Sequence, residues 1–155
     1  MSILICYDDS DSARRALTVA QRTLGHQHAT LLHVYRAPEA VLADAFSTRE
    51  SDPARGSVSQ ERLESLAARR AREVLDAGGA IASDLDADVE LEAREAPSDM
   101  SLWRAILKVA DEIDAELIVA GSRGPTAVAE QALGSVSAGL VHHSERPVLI
   151  VPATG

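Results

Sequence analysis

The sequence predicts an α/β fold: a single-domain, three-layer sandwich with a five-stranded, mostly parallel sheet and helices on both faces. Three observations carry this. Short apolar runs alternate with longer segments of helical periodicity along the chain, the pattern of strand–helix–strand units joined by crossovers. The final run, Pro147–Val151, is apolar without alternation, as in a strand covered on both faces. The run Glu116–Ala120 ends directly in glycine and leads towards another helical pattern. Parallel sheets meet their ligands at such strand ends.

The elements follow in order. Residues 2–7 read as the first strand, and Ala13, Ala16, Leu17, Ala20 and Leu24 then recur at helical spacing up to Gly25. Residues 29–35 form the second apolar run. A helix over 59–77 carries Leu63, Leu66, Ala67, Ala71, Val74 and Leu75 on one face, with Gly78-Gly79 as its expected stop. Val89, Leu91 and Ala93 alternate with charges, as on a half-buried edge strand. Pro97-Ser98 opens a third helix bearing Leu102, Ala105, Ile106, Val109 and Ile113. Strand 116–120, helix 135–144 and strand 147–151 complete the set. Residues 36–58, with Pro38, Pro53, Gly56 and a polar run, read as a mobile loop in which 40–46 can form a short helix.

Composition narrows the function. At 155 residues the chain is one domain, long enough to bury about two-thirds of its unfolded surface. Aromatics make up only 3%, so the core is aliphatic and there is no platform for stacking bases. A net charge of −9 argues against nucleic acid or an anionic membrane as partner. Cys6 is the single cysteine and lies in an apolar strand, which fits a packing thiol in a reducing compartment. No run approaches the roughly 18 apolar residues that span a bilayer, and the N-terminus has no signal-peptide pattern. The expected location is the cytoplasm.

The most informative motif is Gly121-Ser122-Arg123-Gly124, then nine residues, then Gly134-Ser135-Val136-Ser137. Two glycines three apart let a backbone turn sharply and approach a ligand. The second half reads as a helix start, whose free N–H groups and positive dipole end attract phosphate. The competing reading is that these glycines only punctuate turns.

The spacing Gly-x2-Gly-x9-Gly-Ser resembles the nucleotide-binding signature of the universal stress protein family. Ile3–Ser10 resembles that family's first strand and its terminal aspartate, Thr30–Val34 its second strand, and Arg146–Val151 its last. The resemblance covers nearly the whole chain and is weak around residues 36–60. It implies an adenine nucleotide alpha-hydrolase-like fold that binds ATP, with or without Mg²⁺, as a ligand rather than as a turned-over substrate. It places Cys6, Tyr7 and Asp8 at the adenosine end, with Val34 bonding adenine through its backbone. Gly121, Arg123 and Gly124 would contact phosphate from one side, and Gly134, Ser135, Val136 and Ser137 from the other. It also implies a homodimer joined through the C-terminal strand 147–151.

The chain departs from the family at Asp9, where glycine is usual. Asp9 can cap the first helix, point to solvent, or share a cation with phosphate; capping is the favoured reading. A relative without nucleotide binding is an alternative that only Asp9 supports. The acidic start Asp8-Asp9 followed by Arg14-Arg15 is similar to a phosphoacceptor receiver, but no apolar run precedes Asp52 and no lysine ends the last strand. An adenylate-forming or pyrophosphatase enzyme lacks its Ser-Gly-Gly loop here. No nucleophile has an identifiable base, no metal-ligand spacing occurs among the histidines, and no catalytic residue is assigned. Trp103 reads as packing.

Overall fold

The computed structural model describes residues 1–25, 27–36, 60–124 and 133–153. In chain order the elements are β1 (Ser2–Cys6), α1 (Asp11–Leu24), β2 (His28–Arg36), α2 (Gln60–Asp84), β3 (Val89–Ala96), α3 (Leu102–Glu112), β4 (Leu117–Gly121), α4 (Ser135–His143) and β5 (Val148–Val151). The five strands form one sheet in the order β3-β2-β1-β4-β5, and every pairing is parallel. The proposed loop lies, from residue 37 on, outside the described residues.

The continuous apolar runs are explained by two cores. Ile3 and Ile5 of β1, with Leu31 and Val119, pack under Ala16 and Leu17 of α1 and Val74 and Leu75 of α2. Leu4, between them in sequence, points the other way with Leu32 and Ile118, towards Ile106 and Val109 of α3 and Leu140 of α4. Successive strand residues face opposite sides, so a strand between two helical layers must be apolar at every position.

Three expectations need correction. Gly78-Gly79 does not stop α2, which runs on to Asp84. A Cβ at Gly78 would lie 2.6 Å from Leu31 Cδ2 and 2.9 Å from Tyr7 Cε1, so this glycine lets the helix lie close to the sheet. Pro97-Ser98 forms a turn closed by Met100 N–H donating to the Pro97 carbonyl at 3.0 Å; α3 itself starts after Ser101. β3 is an edge strand, as its alternation implied, and its Leu91 is 45% exposed. Likewise β5 is an edge strand whose Val148, Leu149 and Ile150 are half-buried, with only Val151 buried.

Candidate functional site

The strand order reverses between β1 and β4, because β1 leads outward to β2 on one side while β4 leads to β5 on the other. The loops leaving these two strands diverge to opposite faces and open a crevice at their carboxyl ends. A cavity of about 360 Å³ occupies it. Cys6, Tyr7, Asp8, Val34, Gly121, Arg123, Gly124, Gly134, Ser135, Val136 and Ser137 all line it, so the structure brings every expected site residue to one cavity. Ala13, Leu32, Leu102, Ile106 and Ala120 also line it and were not named. Their signal was only apolar periodicity, which core residues share.

One end of the cavity is apolar, walled by Leu32, Val34, Leu102, Ile106, Ala120 and Val136. β1 pairs with β2 only as far as Cys6 and Leu32, with the Tyr7 N–H donating to the Leu32 carbonyl at 2.8 Å. Backbone groups of a strand alternate sides, so Val34, two residues on, turns its N–H and C=O to the same side as Leu32, past the end of β1. Its Tyr7 counterpart carbonyl is taken by His33 Nδ1 at 2.8 Å. An apolar slot edged by one backbone donor and one acceptor suits a planar heterocycle.

The other end is polar. Asp8 Oδ1 accepts from the Ser10 N–H at 3.0 Å and from Ser10 Oγ at 2.5 Å. Ser10 caps α1, its Oγ accepting from the Ala13 N–H at 3.2 Å. Ser12, buried, donates from Oγ to the Arg123 carbonyl at 2.5 Å. Ser10 Oγ lies 3.3 Å from the same carbonyl, so the cap and the first turn of α1 together pin the loop after β4. Sequence reading missed them, because serines at the start of a helix are common and nothing in their spacing marks a long-range contact.

The glycines divide the work differently from expectation. A Cβ on Gly121 would come within 2.7 Å of the Ser12 carbonyl carbon and 2.8 Å of the Ala13 nitrogen, so Gly121 admits the start of α1 against β4 rather than a ligand. At Gly124 the nearest atom is Asp8 Oδ2, 3.3 Å away. The Gly134 N–H is committed to the Ser122 carbonyl at 2.7 Å, and the Ser137 hydroxyl donates to the Gly121 carbonyl at 2.7 Å. Open to a ligand are the first N–H groups of α4, which no side chain caps. Beside them Arg123 lines the cavity, and its buried Nε has no hydrogen-bond partner among the described residues. A buried donor without a partner is costly, and an anion between it and the helix start would satisfy both.

Asp9 does not cap α1; Ser10 does. Asp9 sits at φ 63°, in the left-handed region, which explains why glycine suits this position. Its Oδ1 accepts from Tyr7 OH at 2.9 Å and from Arg14 Nε at 3.0 Å.

Burial, and secondarily the Asp8 charge, pushes the Cys6 thiol up to about 12; burial, then the hydrogen bond to Asp9, pushes Tyr7 up to about 12. A protonated, half-buried thiol is no nucleophile. Both groups keep their protons in the folded chain beyond the pH at which they ionise when unfolded, 9.0 for the thiol and 10.0 for the phenol. Their contribution is therefore intact below the lower of these values and declines as pH rises towards about 12. Urea midpoints should fall on going from pH 8 to above pH 10, and less steeply in Cys6→Ala.

A model of the universal stress protein family matches residues 1–152. No curated protein matches the chain. Among solved structures it is similar to hypothetical protein MJ0577, at 24% identity and TM-score 0.74, covering 99% of this chain and 96% of that one. It is similar to the universal stress protein from Archaeoglobus fulgidus in complex with dAMP (22% identity, TM-score 0.59, 97% of each chain). It is also similar to a universal stress protein family protein from Arabidopsis thaliana with AMP bound (17% identity, TM-score 0.62, 100% of this chain and 93% of that one). At these identities the likeness establishes the fold.

Proposed function

This chain belongs to the universal stress protein family, and on that premise we propose that it is an ATP-binding regulatory protein of the stress response, with the nucleotide acting as ligand or signal. The observation that carries this reading is that Arg123, whose Nε is buried without a partner among the described residues, lines the same cavity as the uncapped start of α4. The apolar slot beside Val34 fits adenine, and the adenine nucleotides bound in the two structural relatives support that choice of base. The free Asp8 Oδ2, near Gly124, is an acceptor for a ribose hydroxyl.

ATP rather than a monophosphate brings more negative charge towards Asp8, Asp9 and Asp11, which line this end or the recess beside it. Mg²⁺, an oxygen-seeking cation, would offset that charge, so ATP should bind more weakly when Mg²⁺ is chelated. No described helix is long and apolar enough to cross a membrane, and a cytoplasmic location is part of the proposal. Mass spectrometry of the freshly purified, undialysed protein tests the reading: an adenine nucleotide carried through purification supports it, and a different bound metabolite would overturn it.

We further propose a homodimer through β5. It is an edge strand, bracketed by Pro147 and Pro152, with half-buried apolar side chains. Free backbone groups on such an edge invite a two-fold, self-complementary pairing. Leu149→Asp should give monomers or insoluble protein. Light scattering that finds the unmodified chain monomeric at tens of micromolar would contradict the dimer alone.

A further inference from the structure

Trp103, the one tryptophan of the chain, is flanked on α3 by two cavity-lining residues, Leu102 before it and Ile106 one turn on. Its indole stacks on His143 of α4, with ring centroids 4.3 Å apart and planes 8° from parallel. The Arg104 guanidinium carbon lies 5.2 Å from the centre of the indole. This packing needs glycine at position 139 of α4: a Cβ there would fall within the indole, 2.8 Å from Nε1 and closer still to Cγ and Cδ1.

Ser135, Gly139 and His143 are spaced four apart and so share one face of α4. The indole fills the gap between the helices at Gly139 and His143. One turn earlier, at Ser135, the same gap is the cavity. We infer that Trp103, Gly139 and His143 are positioning residues: the indole is the spacer that sets the distance of the α4 start from α3, and with it the fit of the phosphate end. The inference rests on the adenine-nucleotide reading. Of the two helices α4 is the one that yields. α3 is anchored in the core by Ala105, Ile106, Val109 and Ala110, whereas α4 buries only Ser137, Gly139 and Leu140.

A spacer of this kind acts on phosphate more than on base, because α4 gives the base slot only Val136, beside Leu32 and Val34 of β2, Ala120 of β4 and Leu102 and Ile106 of α3, whereas it carries the free N–H groups itself. The test is calorimetric titration of adenosine and of AMP into the unmodified protein and three variants. Gly139→Ala should weaken AMP about tenfold and leave adenosine within about twofold, and adding Trp103→Leu should recover most of the loss. His143→Ala, an exposed change that the fold tolerates, should weaken AMP about threefold by releasing the stack. Equal losses for AMP and adenosine, or no recovery in the double variant, would overturn the inference. Should Gly139→Ala fail to fold, unchanged AMP affinity in His143→Ala would overturn it. If the unmodified chain binds neither ligand, the nucleotide reading falls and this inference with it. If it binds both and the variants behave identically, only the spacer falls.

Discussion

Gly124→Glu should reduce AMP or ATP affinity by at least about a hundredfold while the protein stays folded. The two halves of that result have separate causes. The fold should survive because a Cβ at Gly124 meets only Asp8 Oδ2, at 3.3 Å, and the residue is exposed. Binding should fail because the new carboxylate stands between Asp8 and the Arg123 side that awaits an anion. A like charge about 4 Å from a phosphate costs on the order of 4 kcal/mol at the screening found near a protein surface. Gly124→Ala is the control and should lose little. Calorimetry gives the affinity and circular dichroism the fold; unchanged binding in the glutamate variant would make this glycine a turn residue only.

Gly121→Ala should do the reverse and damage the fold. Its Cβ would meet backbone atoms of Ser12 and Ala13 at 2.7 and 2.8 Å, and backbone at a helix start cannot step aside as a side-chain end can. Overpacking of this kind costs about 3 kcal/mol, which in a chain of this size lowers the melting temperature by roughly 6–12 °C. Ser12 would also be displaced from the Arg123 carbonyl, so nucleotide affinity should fall together with stability. Gly134→Ala serves as the comparison, since its Cβ would find nothing nearer than 3.4 Å. Equal melting temperatures for the Gly121 and Gly134 variants would show that α1 does not rest on β4 as described.

These contrasts also mark what the sequence could convey. The apolar runs announced the strands because both faces of the sheet are covered, and the glycine spacing placed a ligand-facing loop after β4. The same letters were silent on which glycine meets a ligand and which meets a helix. Gly121 and Gly124 look alike in the motif, yet one adjoins Ser12 and the other the cavity. Gly78-Gly79 was misread for a related reason. A glycine pair ends a helix as readily as it lets one pass close to a sheet, and only the position of Tyr7 and Leu31 decides. Asp9 was misassigned because its left-handed backbone is invisible in sequence, and the true cap, Ser10, lies one residue on. The contacts of Ser10 and Ser12 with Arg123 span more than a hundred residues of chain, and no local pattern carries such a pairing.

The central claim is that the crevice between β1 and β4 holds an adenine nucleotide on the Arg123 and α4 donors. Calorimetric titration of the unmodified protein with ATP and Mg²⁺, run beside Gly124→Glu, tests it most directly. The expected result is one site per chain with a dissociation constant in the micromolar range, about −8 kcal/mol, and no measurable heat in the variant. An unmodified protein that gives no heat at millimolar nucleotide, or a variant that binds as tightly as its parent, would contradict it.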